Sequence, residues 1–338
     1  MEKIKVGIVY GGVSTEHEVS IKSAIAVMNN LDKNKYEIYQ IYIAKNNVWQ
    51  KGVEKEKIEN IIEHIKKMDV IFPVLHGLNG EDGTIQGMLK LFNIPFVGCG
   101  ILASSVGMDK VYTKIIFDKV GIKQAKYTYI RAYKDKYIYV DTNFNESILS
   151  IDEVVKKVEN NLKYPMFVKP SNSGSSVGIN KVKTTEDLVK AIIYAAKFDS
   201  KIVIEEGLVG RELECAVMGN EEVMASSIGE ILSEEEFYSY DAKYINGNTK
   251  TIIPKDISKE TISKIQELAI KAFKAINGKG LSRVDFFLDE QNNDVYINEI
   301  NTLPGFTNIS MYPQLFNDMG ISYPELLENI IKYALENK

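Results

Sequence analysis

Near its carboxyl end the chain reads Ser282-Arg283-Val284-Asp285-Phe286 and, a short turn later, Val295-Tyr296-Ile297-Asn298-Glu299-Ile300-Asn301. Both stretches predict strands. Side chains alternate faces along a strand, so Arg283 and Asp285 share one face of the first, and Glu299 and Asn301 one face of the second. If the two strands pair, two carboxylates, an amide oxygen and one fixed cation meet in a small volume. Oxygen-only ligation suits Mg²⁺, which is commonly shared between protein and nucleotide phosphates. A planar guanidinium suits an oxyanion. The ordinary setting for alternating charges is instead the solvated face of a half-buried sheet. That alternative accounts for any one of the four residues but poorly for all, because Val284, Phe286, Ile297 and Ile300 would bury the opposite face.

Length and composition bound the fold and the possible functions. At 338 residues the chain is too long for one ordinary core, and two or three domains are expected. With 41 basic against 46 acidic residues the net charge is −5. No basic run or basic-aromatic stripe points to nucleic acid. No apolar stretch approaches a membrane span, and the N-terminus enters a strand pattern instead of a signal-peptide core. Cys99 and Cys215 lie far apart, so reduced buried thiols in a cytoplasm are expected instead of a disulfide framework.

Residues 3–100 alternate strand and helix patterns. A strand over 4–10 runs into Gly11-Gly12, and Thr15 with Glu18 three residues on reads as a capping box opening a helix. Strands over 36–44 and 70–75 and helices marked by Ile58, Ile61 and Ile65, then by Ile85, Leu89 and Phe92, complete a β-α-β alternation. It predicts a parallel sheet with ligand-binding loops at strand C-termini. Gly11-Gly12 and His76-Gly77 would then sit on the ligand-facing edge. Beyond residue 100 the pattern is mixed: a helix over 108–120, another over 151–162, antiparallel-type strands, a polar loop over 233–250 and a helix over 258–276.

Lys169 ends a strand before Ser171-Asn172-Ser173-Gly174-Ser175-Ser176-Val177-Gly178. Small residues let backbone N–H groups approach phosphate oxygens, and a lysine at the base adds charge. The loop lacks the Gly-Lys-Ser/Thr ending of a P-loop. By itself it could equally be a plain flexible connection, and Lys110 could equally be an exposed helix lysine. An apolar strand at 202–208 ends in Glu205 and Glu206 before Leu208, an edge that offers an adenine both an acceptor and a flat slot. Glu212 is placed to accept from ribose hydroxyls. Each of these acids could instead be a strand-end surface charge.

Taken together these stretches resemble the D-alanine–D-alanine ligases of the ATP-grasp superfamily along nearly the whole chain. The motifs that carry the resemblance are residues 11–20 (Gly-Gly-Val-Ser-Thr-Glu-His-Glu-Val-Ser), His76-Gly77 with Gly80-Glu81-Asp82-Gly83, Met108-Asp109-Lys110, residues 169–178 and residues 298–307. The resemblance implies an α/β and α+β chain with a three-domain ATP-grasp fold: a Rossmann-like parallel-sheet domain at 1–100, a central ATP-grasp part at 101–207, and a catalytic part at 208–338 with 233–250 as a lid. It implies cytoplasmic ligation of two D-alanines through a D-alanyl phosphate, by a homodimer with ATP as substrate, two Mg²⁺ ions, and Mn²⁺ as a substitute. No nucleic acid or membrane partner is implied.

Residue by residue, the resemblance implies that Glu16 holds the first substrate's ammonium, with Val19 and His76 lining that subsite. Ser175 and Tyr244 would join Glu16 in a hydrogen-bonded set. Lys110, Lys169, Ser176, Glu205, Glu206, Leu208, Glu212 and Lys243 would bind ATP. Arg283 and the Gly305 N–H would stabilise the developing oxyanion. Asp285, Glu299 and Asn301 would ligate metal, and Ser310 and Met311 would contact the second substrate. His76 could instead be a turn histidine, Tyr244 a surface tyrosine and Ser310 a helix cap. Met311 favours a methyl-bearing acceptor over one with a hydroxyl, which would be buried unpaired. The rival readings are a D-serine or D-lactate ligase, another ATP-grasp carboxylate–amine ligase, and an ATP-binding protein without catalysis.

Overall fold

β1 (Ile4–Gly11) pairs in parallel with β2 (Tyr36–Ile43), whose far edge carries the short antiparallel β3 (Trp49–Gln50), and on its other side with parallel β4 (Val70–Val74). The computed structural model describes residues 2–53, 55–174, 176–232 and 250–336. All five residues of β4 and the last six of β1 are buried, as expected of central parallel strands covered on both faces. The helices His17–Asn30 and Thr84–Leu91 follow β1 and β4.

The expected capping box at Thr15 and Glu18 does not form. The first helix begins at His17, with Glu16 in the N-cap position and no side-chain cap. The turn into it is set by tertiary bonds: Gly11 and Gly12 both take positive φ, near 92° and 93°. The Ser20 hydroxyl accepts from the Gly11 N–H at 2.8 Å and donates to the Val74 carbonyl. A capping box does form at Ser150 and Glu153, opening the helix Ile151–Asn161.

The second sheet is antiparallel and six-stranded among the described residues. It is built from β5 (Tyr127–Tyr133), β6 (Lys136–Val140), β7 (Glu146–Leu149), β8 (Met166–Pro170), β9 (Asn180–Val182) and β10 (Lys201–Glu206), in the order β7-β6-β5-β10-β8-β9. The helices Ile151–Asn161 and Thr185–Ala195 pack Val154, Val158, Leu188 and Ile192 against Val168, Ile202 and Ile204. The helix expected over 108–120 is present as Lys110–Lys119, and a separate helix, Ile101–Met108, precedes it and ends at Asp109. Asp109 has extended backbone, and its carboxylate accepts from the N–H groups of Val111 and Tyr112. An N-cap aspartate starts a new helix more readily than it continues an old one.

The third sheet runs β13-β12-β11-β14-β15, from β11 (Arg211–Gly219), β12 (Val223–Leu232), β13 (Lys250–Ile252), β14 (Gly280–Asp289) and β15 (Asp294–Asn301). The helix Lys259–Ala275, capped by Ser258, lays Ile265, Ala269 and Phe273 on one face. The helix Tyr323–Glu336 packs Leu327 and Ile330 with Val6, Ile8 and Phe72 of the first sheet and Ala216 and Leu281 of the third. One core therefore joins the two ends of the chain and fixes the first sheet's loops against β14 and β15. Both cysteines are buried thiols, which burial pushes up to about 11 for Cys99 and about 12 for Cys215. Among the described residues no helix is long and apolar enough to cross a membrane.

Candidate active site

β14 and β15 pair antiparallel with Asp285 opposite Glu299 and Arg283 opposite Asn301. The register then slips, so that Phe286 faces Ile297. Strict alternation would put Ile297 on the same face as Glu299; the bulge at Asn298 returns it to the core beside Phe286. On the polar face, Arg283 donates to Asp285 from Nε (2.7 Å) and Nη2 (2.8 Å), and Asn301 Nδ2 donates to Asp285 Oδ2 at 3.0 Å. Lys110 Nζ lies 3.9 Å from Glu299 Oε2. Burial works against the guanidinium's charge, but Asp285 and Glu214 outweigh it and raise Arg283 well above its ordinary value.

The first sheet supplies the opposite wall. The Glu16 carboxylate is lodged between two glycines: a Cβ on Gly77 would stand 2.7 Å from its Oε2, and one on Gly174 3.0 Å. Gly77 also has φ near 70°, so glycine is required there twice over. His76 is buried, with Nδ1 3.2 Å from the Leu303 carbonyl and Nε2 3.2 Å from Ser23 Oγ. A carbonyl only accepts, so Nδ1 carries the proton and Nε2 accepts from the Ser23 hydroxyl, which itself accepts from the Phe306 N–H. This chain ties the loop holding Gly305 to the first helix. Burial keeps the imidazole below its ordinary value, against the pull of Glu16. Glu81 accepts from the Gly77 N–H at 2.9 Å, and burial, helped by Glu16, pushes it up to about 8.

The second sheet closes the cleft. Glu205 is buried between Lys169, in direct contact, and Lys114 at 2.8 Å. Burial would raise this acid, but the two ammonium groups hold it at about 2. Lys110 Nζ donates to the Ser173 carbonyl at 2.7 Å, reaching into the Ser/Gly loop. Asp109 anchors that loop's base: it accepts from Ser171 Oγ at 2.6 Å and pairs with Lys201.

One cleft brings together Glu16, Val19, His76, Lys110, Lys169, Ser176, Glu205, Glu206, Leu208, Glu212, Arg283, Glu299, Asn301 and Gly305. Asp285 joins them through Arg283 and Asn301. Glu206 also accepts from the Lys163 N–H at 2.9 Å. Ser310 and Met311 do not line the cleft. Ser310 sits at a helix N-cap position without a capping bond; its hydroxyl accepts from the Thr307 N–H at 3.0 Å. Met311 is buried among Tyr312, Leu315 and Phe316. Ser175, Lys243 and Tyr244, and with them the loop over 233–250, lie outside the described residues.

Sequence reasoning passed over Glu81, Lys114 and Glu214. Glu81 stands within a quoted motif, so a signal existed. Lys114 and Glu214 acquire meaning only from partners 91 and 69 residues away in sequence (205 − 114 and 283 − 214).

Among the described residues no three His, Cys, Asp or Glu side chains are grouped to hold a metal. Asp285, Glu299 and Asn301 offer two carboxylates and one amide oxygen. That is too few for a closed protein cage and typical of Mg²⁺ sites completed by phosphate oxygens and water. The donor set fits that ion and no soft metal.

Residues 116–332 match the family described as the D-ala D-ala ligase C-terminus, and residues 5–65 and 50–99 the D-ala D-ala ligase N-terminus. The D-alanine–D-alanine ligase of Acetivibrio thermocellus is 46% identical, over 99% of this chain and 96% of that protein. That of Clostridium acetobutylicum is 45% identical, over 98% of each. Among solved structures, the VanG D-Ala:D-Ser ligase from Enterococcus faecalis superposes with a TM-score of 0.86 at 33% identity, covering 98% of this chain and 100% of that one. The D-alanine–D-alanine ligase from Bacillus anthracis complexed with ATP gives 0.78 at 29%, covering 99% and 98%.

Proposed function

This chain belongs to the D-alanine–D-alanine ligase family, and from that membership together with the cleft's geometry we infer that it joins two D-alanine molecules to D-alanyl-D-alanine at the expense of ATP. It is an ATP-dependent, ADP-forming ligase of ATP-grasp fold. The observation that carries the reading is the convergence of three sheets on one cleft. Arg283, Glu299 and Asn301 form its floor, Lys110 and Lys169 its phosphate side and Glu16 its amine side.

A free carboxylate is a poor acyl donor. Phosphorylation of the first D-alanine by ATP supplies a leaving group, and the second D-alanine's amine then displaces phosphate through a tetrahedral intermediate. The protein's share is positioning and charge stabilisation. Glu16, fixed by Gly77 and Gly174, takes the first ammonium. Lys110 and Lys169 face the phosphates, and Glu205, kept ionised by its lysines, is an acceptor for the adenine amine. Arg283 and the Gly305 N–H face the oxygen on which charge develops, an interaction worth roughly 3 kcal/mol per donor. Asp285, Glu299 and Asn301 would hold two Mg²⁺ ions, with Mn²⁺ able to substitute, which supply charge neutralisation at the transferring phosphoryl group. Ser175, Lys243 and Tyr244 complete the set by family resemblance.

The product is a building block for cell-wall peptidoglycan, and the need for ATP supports a cytoplasmic reaction. A homodimer rests on the resemblance alone. D-Serine is the second reading for the acceptor, favoured by the overlay with VanG. The higher identity to the D-alanine–D-alanine ligases supports D-alanine; Met311, buried in the core away from the cleft, does not bear on the choice. A hydrophobic pocket rejects an added hydroxyl only modestly, so competition between the two as acceptors decides. A higher kcat/KM for D-serine would reverse the assignment.

A further inference from the structure

Glu214 is a buried acid that the reading of the cleft above leaves unused. It lies on β11, opposite Asp285 of β14, which in turn lies opposite Glu299 of β15. Three acidic side chains thus occupy one rung of the sheet, while the next rung on the same face carries Ala216, Arg283 and Asn301. Glu214 is 4% exposed, does not line the cleft, and places Oε1 3.2 Å from Arg283 Nε. We propose that Glu214 is a positioning residue for the reaction: it holds the Nε end of Arg283 so that the guanidinium keeps its aim when Asp285 turns its oxygens elsewhere.

Asp285 binds Arg283 with both of its carboxylate oxygens. The same oxygens belong to the donor set that fits a nucleotide-bound divalent cation. A carboxylate drawn toward a cation cannot keep both oxygens fully on a guanidinium. Arg283, partly buried in the cleft floor and left with Asp285 as its hydrogen-bonded acid, would follow that carboxylate or lose part of its charge compensation. Glu214 supplies a second anion from a different strand, set by backbone register and not by a flexible loop. Buried and outside the lining of the cleft, it is placed to act through Arg283. A purely structural acid would serve the fold equally well from this place, and the test must separate the two.

The proposal rests on the ligase reading, so D-alanine-dependent ADP release by the unaltered enzyme is measured first; its absence would overturn both, whereas the variants below can overturn this proposal alone. Glu214→Gln is then compared with Arg283→Lys and the double variant, with ADP affinity by calorimetry and thermal unfolding as independent readouts. The expected result is a fall in kcat of roughly 10- to 100-fold, with KM for ATP and ADP affinity within about twofold. In the Arg283→Lys background Glu214→Gln adds little, because both changes disable one device. Glu214→Asp, which keeps the charge but withdraws it by one methylene, falls between wild type and Gln. If the Gln variant does not fold, the Asp variant decides, a drop in kcat at constant KM supporting the proposal. Wild-type kcat in either folded variant overturns it. So does full additivity with Arg283→Lys, or a raised Mg²⁺ requirement with additivity, which would make Glu214 a ligand.

Discussion

Asp285 grips Arg283 with both carboxylate oxygens, Oδ1 at 2.7 Å from Nε and Oδ2 at 2.8 Å from Nη2, across two residues of a single strand. The alternation of a strand makes such an i, i+2 pair possible, and the register with β15 brings Asn301 and Glu299 to the same place. Cation, anions and amide are thus organised by backbone pairing before any substrate arrives, which is the pre-organisation that charge-stabilising catalysis needs.

Glu299→Gln keeps the size and removes the charge. Turnover is expected to fall roughly 1,000-fold, since a lost metal carboxylate costs several kcal/mol. The thermal midpoint should stay within about 3 °C of wild type. Near-wild-type ADP release would take Glu299 out of the metal site.

Gly77→Ala puts a methyl 2.7 Å from the Glu16 carboxylate at a φ near 70°. It should destabilise the fold by about 1–3 kcal/mol and raise KM for D-alanine roughly tenfold through a displaced Glu16, with KM for ATP little changed. Unchanged D-alanine kinetics would show that Glu16 does not hold the substrate amine.

Glu81 is pushed up to about 8 by burial and by Glu16. Between its ordinary 4.5 and that value the folded state binds more protons than the unfolded one, so stability falls as pH rises through this window. Glu81→Gln, which cannot ionise, should flatten that fall. The test is the urea midpoint at several pH values from 5 to 8 for both proteins; parallel curves would mean that Glu81 titrates normally.

Lys114 and Lys169 hold Glu205 at about 2, against its ordinary 4.5. The stability this contributes is present above the ordinary value and is lost as pH falls from 4.5 through about 2. Lys114→Met should therefore move acid unfolding to higher pH. At pH 7 it should cost roughly 3 kcal/mol, because a buried carboxylate loses one of two partners. An unchanged acid transition would place the stabilisation on Lys169 alone.

The sequence was most legible where period and chemistry coincide. The parallel β1, β2 and β4, the helix Lys259–Ala275 and the polar face of β14 and β15 all follow from spacing. It was least legible where a tertiary bond overrides a local signal. Thr15 and Glu18 have the spacing of a capping box, yet the turn is set by Ser20 reaching Gly11 and Val74, 54 residues away. Asp109 caps the helix Lys110–Lys119, as its place before that helix suggests, but local spacing does not show that it also anchors Ser171 and Lys201. Glu214 and Lys114 carry no motif: each reads as an ordinary charged residue until the sheet register puts Arg283 or Glu205 beside it.

The most direct test is ADP release with Mg²⁺ across a panel of D- and L-amino acids, with the dipeptide product identified. Stimulation by D-alanine, with D-alanyl-D-alanine as product, is the predicted result. ADP release that ignores D-alanine, or none under any amino acid, would contradict it.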